Sequence, residues 1–332
     1  MSVPMIPPAA ARTFLAAAGW RDAEILPLAG DASFRRYFRV RQGAARAVLM
    51  DAPPPHEDPR PFIAVAEYLG EIGLRAPRIL HRDLVAGLLL IEDFGDVRMR
   101  ETVDANPALE SDTYAGVTDI LVALHRRTPL PTLTAQSVPL FLDEVGLFIE
   151  WYCPTVGISV DIAGFRAAWA AALTPVMAAL ATPVTVLRDY HAENIMLVDG
   201  GADQARYGLL DFQDALAGHP AYDLVSMLED ARRDVTPSVE RAMLSRYMAA
   251  TGSGEAFETA YWVLGAQRNT RILGVFARLW KRDDKPRYRA FQPRMWGLLE
   301  RDLEHGALSG LKDWFDVNIP AEKRAPFWAE FV

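Results

Sequence analysis

The stretch that decides the fold of this chain is Leu187-Arg188-Asp189-Tyr190-His191-Ala192-Glu193-Asn194-Ile195-Met196-Leu197. It is followed by Leu209-Leu210-Asp211-Phe212-Gln213, a second apolar run that ends in an acid. The apolar residues predict two short strands, each of which would deliver a carboxylate to the same edge. An amide side chain, Asn194, lies between the two acids. The pattern therefore predicts one polar site built from Asp189, Asn194 and Asp211.

These three residues have the types and the spacing that phosphoryl transfer requires. That reaction needs an acceptor for the proton of the attacking hydroxyl and hard oxygen ligands for Mg²⁺. We predict that Asp189 is the base, that Asn194 and Asp211 hold Mg²⁺, and that ATP is the donor. The combination is specific, whereas each residue alone would as often be structural. Arg188 either steadies the loop or meets a phosphate, and the sequence does not decide between these roles.

Composition narrows the class of protein. A chain of 332 residues exceeds one ordinary core, which predicts two domains. Hydrophobic residues make up 51% and charged residues 23%, as in globular proteins. The net charge is −8 and no long basic block is present. We therefore expect no nucleic acid as a partner, because phosphate-backbone binding depends on clustered Lys and Arg.

The cysteine content and the apolar runs predict a cytoplasmic location. The single cysteine, Cys153, cannot form an intramolecular disulfide and fits a reducing compartment. Its flanking residues favour a buried structural thiol. Met1–Ala11 has no basic region followed by an apolar core, so we expect no signal peptide. We identify no stretch of about 18 apolar residues, so we expect no membrane span.

The first part of the chain is rich in predicted strands and the remainder in predicted helices. This change places a boundary near residue 95, with an N-terminal domain over residues 1–95 and a C-terminal domain over residues 96–332. The predicted fold class is α+β. The predicted strands are 25–28, 34–40, 45–50, 88–91 and 184–187. The predicted helices are 9–19, 61–73, 111–127, 139–151, 161–180, one beginning near Asp223, 238–250, 256–279 and a group over 293–311.

A turn between the first two predicted strands is a candidate cover for phosphate groups. Gly30, Asp31 and Ser33 are small or polar residues whose backbone N–H groups can approach an anion. Arg35 and Arg36 follow directly and add positive charge. The alternative is an ordinary Gly-Asp hairpin turn with a structural role.

These motifs resemble the aminoglycoside phosphotransferase family, part of the protein-kinase-like superfamily of small-molecule kinases. Leu187-Arg188-Asp189 stands where that family has its His-Gly-Asp triplet, Asn194 and Asp211 match its metal ligands, and Tyr222-Asp223-Leu224 matches its Tyr-Asp-Leu element. The resemblance implies a two-lobe fold with an N-terminal antiparallel sheet plus one helix and a mostly helical C-lobe. It also implies a nucleotide-binding hinge around Glu92 and Phe94.

Within this family the chain is similar to the sugar kinases of bacterial cell-wall recycling, which phosphorylate the anomeric hydroxyl of N-acetylmuramate and N-acetylglucosamine. The strings that carry this similarity are 30–39, 50–54, 211–215 and 267–274. The similarity implies a small-molecule amino sugar and a nucleotide as partners. The alternative among enzymes is an aminoglycoside or small-alcohol kinase. Aminoglycosides are polycations that call for an acidic rim, which the net charge of −8 permits. The alternative outside enzymes is a pseudokinase that binds nucleotide or a partner.

Two positions depart from the family pattern. Leu187 replaces the histidine of the triplet, which an apolar packing role explains. Met50 ends the third strand where most kinases present a lysine to the α- and β-phosphates. We predict that Arg35 or Arg36 supplies the missing cation.

The similarity also predicts a binding surface for the sugar. N-acetylmuramate carries a lactyl carboxylate, and Arg268 and Arg271 lie three residues apart on one predicted helix face. A surface salt-bridge role is the alternative for both. Glu150 and Trp151 are candidates for hydrogen bonding and stacking, with core packing as the alternative. His191 is a further candidate, although a lone histidine in a loop more often orients the backbone.

Overall fold

The computed structural model describes residues 5–30, 34–201 and 203–329. The chain forms two compact units, one of Met1–Pro107 with Glu193–Asp214 and one of Ala108–Ala192 with Ala215–Val332. This grouping differs from a division at residue 95 because residues 96–107 and 193–214 both belong with the first unit. Backbone hydrogen bonds explain the difference: the N–H of Leu197 donates to the carbonyl of Val97 at 2.8 Å, and the N–H of Leu209 donates to that of Arg75 at 2.8 Å.

A five-stranded antiparallel sheet forms the centre of the first unit, with strand order β1-β2-β3-β5-β4. Its strands are β1 (Glu24–Gly30), β2 (Arg36–Gln42), β3 (Ala45–Asp51), β4 (Ile79–Asp83) and β5 (Leu88–Glu92). Four of them were predicted, and β4 was missed. β4 is an edge strand in which exposed and half-buried residues alternate, so its hydrophobic signal is weak.

Side chains alternate between the two faces of this sheet. On one face, Phe38, Leu49 and Leu90 lie in adjacent strands and form a buried cluster with Phe14 of helix α1 (Ala11–Ala17). On the other face, Met50 lies between Tyr37 and Leu89 and is fully buried. Met50 is therefore a core residue of the sheet, and a lysine at this position would have to bury its charge.

The helices of the first unit are α1, α2 (Arg60–Glu71) and α3 (Met99–Ala105). α2 was predicted from its apolar period, and Phe62, Val65 and Leu69 are buried as that period requires. Phe62 stacks on Phe212 with ring centroids 5.0 Å apart. α3 was not predicted, because it lacks the proline before its start and the glycine after its end that mark α1.

Two small antiparallel ladders carry the predicted site residues. β7 (Ile195–Leu197) pairs with β8 (Tyr207–Leu209) in the first unit, and β6 (Val184–Val186) pairs with β9 (Leu216–Gly218) in the second. The strands are only three residues long, so the residues that follow them enter loops at once. Asp189 and Asp211 both lie in such loops.

The second unit is mostly helical. Its helices are α4 (Glu110–His125), α5 (Val138–Leu147), α6 (Cys153–Val156), α7 (Ile162–Ala179), α8 (Ala221–Leu228), α9 (Pro237–Thr251), α10 (Glu255–Lys281), α11 (Gln292–Leu303), α12 (Ser309–Asn318) and α13 (Ala325–Ala329). The long predicted helices are confirmed within a few residues at each end. A π-helical turn, Phe148–Tyr152, continues α5 where one longer helix was predicted.

α10 is the central helix of this unit, and 17 of its 27 residues are buried. It packs closely against the end of α5 at Gly274. A Cβ atom there would lie 2.4 Å from the carbonyl carbon of Leu147 and 2.5 Å from the backbone nitrogen of Phe148. Only glycine fits at this contact, because both neighbours are backbone atoms.

Helix α7 corrects one expectation from the sequence. By length and composition Ile162–Ala179 could cross a membrane, so the statement that no such apolar stretch exists was wrong. Its buried residues lie on one face and include Phe165, Trp169 and Leu173. Phe165 contacts Trp314 of α12 with ring centroids 4.7 Å apart. A core helix with an apolar outer face accounts for this composition.

Candidate functional site

Asn194 and Asp211 are brought together by the β7–β8 ladder. Asn194 directly precedes β7, Asp211 lies two residues after β8, and the N–H of Leu210 donates to the Asn194 carbonyl at 2.9 Å. The side-chain Nδ2 of Asn194 lies 3.4 Å from Oδ2 of Asp211. Asp211 adopts a positive φ of 58°, which aspartate tolerates better than most residues. The two predicted metal ligands are therefore neighbours within one unit.

Two further polar side chains surround Asp211. Gln213 Nε2 donates to Oδ1 of Asp211 and to Oδ2 of Asp214, each at 3.0 Å. This amide holds two carboxylates at a fixed separation, and both remain about half exposed, at 46% and 56%. Sequence reasoning assigned no role to Gln213 or Asp214, although both lie in the string 211–215 that carried the family similarity.

Arg35 lies beside these acids. Its Nη2 is 3.9 Å from Oδ1 of Asp211 and 3.9 Å from Oδ2 of Asp214, and its Nη1 is 3.9 Å from Glu57. These distances exceed those of direct hydrogen bonds, so the guanidinium interacts with the acids mainly through its charge. Burial, partly offset by Arg35, raises the pKa of the neighbouring Tyr37 to about 12.

Arg36 has a different partner. Its Nε and Nη2 donate to Oδ2 of Asp51 at 2.8 and 2.5 Å, and Asp51 is only 2% exposed. This bond gives a role to Asp51, the residue after Met50. From the end of β3, Asp51 neutralises the charge of Arg36, the first residue of β2. Of the two arginines predicted to replace the strand lysine, Arg35 is the one that lies beside Asp211, the predicted metal ligand.

Two of the remaining residues predicted for nucleotide binding, Gly30 and Glu92, are the last residues of β1 and β5. Gly30 ends β1 and pairs with Arg36, whereas Asp31 and Ser33 lie outside the described residues. The carboxylate of Glu92 is bound by Arg75 at 3.3 Å and Arg78 at 3.1 Å.

Phe94 is buried, and its ring covers Gly208 of β8, where a Cβ atom would lie 2.5 Å from the ring. Between Glu92 and Phe94, the carboxylate of Asp93 is bound by Nε of Arg39 at 2.7 Å. Arg39 Nη1 also contacts Asp96 at 2.8 Å. The hinge predicted around Glu92 and Phe94 is thus a segment fixed by ion pairs.

The loop that carries Asp189 belongs to the second unit and is held by Asp223. The two carboxylate oxygens of Asp223 accept the backbone N–H groups of Leu187 at 2.7 Å and Arg188 at 2.8 Å. Ser226 Oγ donates to the carbonyl of Arg188 at 2.9 Å. These bonds hold Arg188 at a φ of 70°, which is unusual for a long side chain. Asp223 therefore anchors the loop that carries Asp189.

His191 supports the same loop. Its backbone N–H donates to the carbonyl of Asp189 at 3.1 Å, and its ring Nε2 lies 3.0 Å from Nη1 of Arg232. The side chain is 4% exposed. Asp230 completes the support by accepting the N–H of Ala192 at 3.2 Å. These contacts correspond to an orienting role for His191 rather than to a sugar contact.

The predicted substrate arginines occupy unequal positions on α10. Arg268 is 2% exposed and lies 3.4 Å from the carbonyl of Glu229, so a surface salt bridge is wrong for this residue. Arg271 keeps 21% of its side chain exposed and lies 3.8 Å from Glu144. Burial lowers the pKa of Arg268. For Arg271 burial also acts to lower the pKa, but Tyr222, Glu144 and Asp189 together raise it above its ordinary value.

Glu150 and Trp151 lie in the π-helical turn. Glu150 is exposed and interacts electrostatically with Arg278 and Arg282, at the end of α10. The next residue, Tyr152, is buried and accepts hydrogen bonds from the indole N–H groups of Trp296 and Trp328 at 2.7 and 2.9 Å. Core packing therefore accounts for Tyr152, whereas Trp151 is half-buried.

Comparison with known proteins agrees with this arrangement. The family model described as "Phosphotransferase enzyme family" matches residues 24–261. The chain belongs to the phosphotransferase enzyme family. Membership implies that this phosphotransferase uses a nucleotide and a small-molecule acceptor.

Two curated relatives extend the similarity over most of the chain. A Caulobacter vibrioides protein named N-acetylmuramate/N-acetylglucosamine kinase is 38% identical, covering 95% of this chain and 98% of its own. A Pseudomonas aeruginosa protein with the same name is 36% identical, covering 86% of each chain.

Solved structures share the fold of the phosphotransferase at low sequence identity. The choline kinase LicA from Streptococcus pneumoniae superposes with a TM-score of 0.61 at 15% identity, covering 90% of this chain and 97% of its own. The ADP-bound aminoglycoside phosphotransferase APH(2'')-Ib gives a TM-score of 0.59 at 14% identity, covering 87% and 97%. These likenesses confirm the predicted α+β, protein-kinase-like fold.

Glu144 of the phosphotransferase was missed by sequence reasoning. It lies on α5, where Arg188 Nη2 binds it at 2.5 Å and Gln267 Nε2 donates to it at 3.1 Å. A charged residue within an apolar helix was the available signal, because a half-buried acid needs a partner. Its partners come from 44 and 123 residues away in sequence, so spacing could not identify them.

Proposed function

We propose that this phosphotransferase transfers the γ-phosphoryl group of ATP to the anomeric hydroxyl of N-acetylmuramate and N-acetylglucosamine. The observation that supports this most strongly is the match, along nearly the whole chain, to curated relatives that carry those sugars in their names. The proposal includes Asp189 as the base, Asn194 and Asp211 as metal ligands, and a place for the enzyme in the recycling of cell-wall sugars.

In the proposed mechanism, Asp189 accepts the proton of the anomeric hydroxyl as its oxygen attacks the γ-phosphorus. A new bond forms between that oxygen and phosphorus, the bond from phosphorus to the bridging oxygen breaks, and ADP leaves with the electron pair. Asp223 and His191 support this step indirectly, since they hold the loop on either side of Asp189. Positioning of this kind supplies much of the rate enhancement in phosphoryl transfer.

The residues present fit a bound Mg²⁺. Asn194 and Asp211 offer an amide oxygen and a carboxylate within one unit, which are hard oxygen donors. Among the described residues no group of three or more His, Cys, Asp or Glu side chains could hold a metal. Two protein ligands suit Mg²⁺, which keeps water and phosphate oxygens in its coordination sphere. When bound, the ion would neutralise charge on the phosphates.

Arg35 is the proposed replacement for the strand lysine. Its guanidinium lies beside Asp211 and Asp214, where it could meet the phosphates of a nucleotide held by the metal. Glu57, whose Oε2 lies 3.9 Å from Nη1 of Arg35, would help to keep it in place. We propose that the backbone at Gly30 and the segment from Glu92 to Phe94 contribute the remaining nucleotide contacts.

A coupled assay of ADP release tests this function. The purified enzyme is assayed with ATP, Mg²⁺ and one of four acceptors: N-acetylmuramate, N-acetylglucosamine, kanamycin or choline. We expect turnover on the two amino sugars and a product phosphorylated at the anomeric position by ³¹P NMR. Turnover on kanamycin or choline alone would favour the other small-molecule kinases. Nucleotide binding without turnover on any acceptor would favour a pseudokinase.

Two variants test the assigned base. Asp189→Ala and Asp189→Asn should lower kcat by orders of magnitude and leave the Kd for ATP nearly unchanged, because the base does not contact the nucleotide in this mechanism. Exposed Arg246, which pairs with Asp119, gives a control in Arg246→Gln. Full activity of the Asp189 variants would contradict the assignment.

A further inference from the structure

Glu144 is shared by two guanidinium groups of the second unit. Arg188 Nη2 lies 2.5 Å from Oε1 of Glu144, and Arg271 Nε lies 3.8 Å from the same oxygen. The second oxygen, Oε2, accepts from Gln267 Nε2 at 3.1 Å. Arg188 therefore has a short, charge-assisted bond to this carboxylate, whereas Arg271 is beyond hydrogen-bond distance from it.

One neighbour of Arg271 is an uncharged phenol. Arg271 interacts with the hydroxyl of Tyr222. Because burial raises the pKa of Tyr222 above its ordinary value, this phenol stays neutral. Asp189 also attracts the charge of Arg271, whereas the carboxylate of Glu144 lies beyond hydrogen-bond distance from it. A partly desolvated guanidinium in this state attracts an additional carboxylate strongly.

Arg271 also lies next to the proposed base. Arg188, which shares Glu144 with it, directly precedes Asp189 in the chain. The side chain of Arg271 remains 21% exposed, so a ligand can reach it. Arg268, one helical turn earlier, is 2% exposed and lies against the Glu229 carbonyl, so a ligand cannot reach it without rearrangement of α10.

The chemistry of the two sugars differs at one group. N-acetylmuramate carries a lactyl ether with a carboxylate at C3, two ring carbons from the anomeric centre, and N-acetylglucosamine carries a hydroxyl there. A cation that binds this carboxylate must lie close to the base that serves the anomeric hydroxyl. Resting on the proposed function, we propose that Arg271 binds the lactyl carboxylate and that Glu144 and Arg268 position it without contacting the sugar.

Arg271→Gln separates recognition from a structural role. If Arg271 binds the carboxylate, kcat/KM for N-acetylmuramate should fall about 10- to 100-fold, the usual loss for a hydrogen bond to a charged group. The value for N-acetylglucosamine should fall by a clearly smaller factor, because only the change in charge beside Asp189 affects both sugars. Arg271→Lys should restore part of the loss because it keeps the charge and loses the second donor. Arg246→Gln serves as the surface control.

A neutral substrate analogue completes the test. The carboxamide of N-acetylmuramate keeps the size of the lactyl group and removes its charge. The wild type should use it less well than N-acetylmuramate, and Arg271→Gln should use both about equally, as a double-mutant cycle requires. An equal loss on N-acetylmuramate, its carboxamide and N-acetylglucosamine would overturn the assignment of Arg271. Absence of wild-type turnover on either sugar would instead overturn the proposed function.

Discussion

Arg36 is bound to Asp51 of the neighbouring strand, with two of its nitrogens 2.8 and 2.5 Å from the same carboxylate oxygen. We propose that this pair commits Arg36 to the sheet and leaves phosphate binding to Arg35, whose Nη2 lies 3.9 Å from Asp211. The two arginines are adjacent in sequence, and consecutive residues of an extended chain point in opposite directions. Arg36 therefore neutralises Asp51 within the sheet, and we propose that Arg35 binds the phosphates of the nucleotide.

Substituting each arginine in turn tests this division. Arg35→Gln should raise KM for ATP and lower kcat, by about tenfold or more in kcat/KM, because it removes a charged donor from the phosphates. Arg36→Gln should instead lower the free energy of unfolding by about 1–3 kcal/mol, because buried Asp51 loses its two donors. Steady-state kinetics and urea unfolding measure the two effects. A loss of ATP affinity in Arg36→Gln alone would reverse the assignment.

Asp223 provides a second test, in the loop around the proposed base. Asp223→Ala removes the acceptor of two backbone N–H groups, and we expect kcat to fall at least tenfold with little change in the Kd for ATP. The stability should fall by about 1–3 kcal/mol, because buried donors are left unsatisfied. Asp223→Asn keeps one acceptor oxygen and should lie between the wild type and Asp223→Ala in both measurements. Unchanged kcat in Asp223→Ala would show that the loop does not depend on this carboxylate.

A buried acid pair predicts how stability depends on pH. Asn269 Nδ2 donates to Glu229 at 2.6 Å and to Asp302 at 2.8 Å, and both acids are fully buried. Burial raises the pKa of Glu229 from 4.5 to about 7; Arg301 lowers it, and Glu240 raises it. The pKa of Asp302 is also raised, by burial and by Glu229. The folded protein therefore binds more protons here than the unfolded chain.

A folded state that binds more protons loses stability as the pH rises. The contribution of Glu229 is present below about pH 4.5 and is lost as the pH rises through about 7. Glu229→Gln removes this titration, so its free energy of unfolding relative to the wild type should increase from pH 5 to pH 8, by about 1–3 kcal/mol. Urea unfolding at several pH values measures the difference. A pH-independent difference would show that Glu229 does not titrate in this range.

Gly274 tests the packing of α10 on α5. Gly274→Ala should lower the free energy of unfolding by several kcal/mol, because its Cβ would meet backbone atoms of Leu147 and Phe148 that cannot move aside. Gly297 in α11 gives a matched control, since a Cβ there meets nothing within 4 Å. Gly297→Ala should be neutral or stabilise by about 0.5–1 kcal/mol, as alanine favours helix. Equal effects of the two substitutions on the melting temperature would contradict the close approach.

Much of the fold follows from patterns in the sequence. Helix α2 and strands β2, β3 and β5 were predicted because their apolar residues repeat with the period of a helix or form short strand-like runs between turns. Strand β4 was missed because an edge strand buries little surface, and α13 because five residues hold less than two helical turns. Local periodicity thus predicts elements in proportion to the apolar surface that each one buries.

At the site, the sequence and the tertiary structure determine different properties. The sequence by itself determined the residue types: two acids and an amide after short strands, and a string from Gln267 to Gly274 that carried the family similarity. Tertiary structure alone decided their partners, such as Glu144 for Gln267 and the Leu147 backbone for Gly274. The physical reason is that hydrogen bonds and close packing join atoms far apart in sequence. Only the folded chain distinguishes buried Arg268 from accessible Arg271.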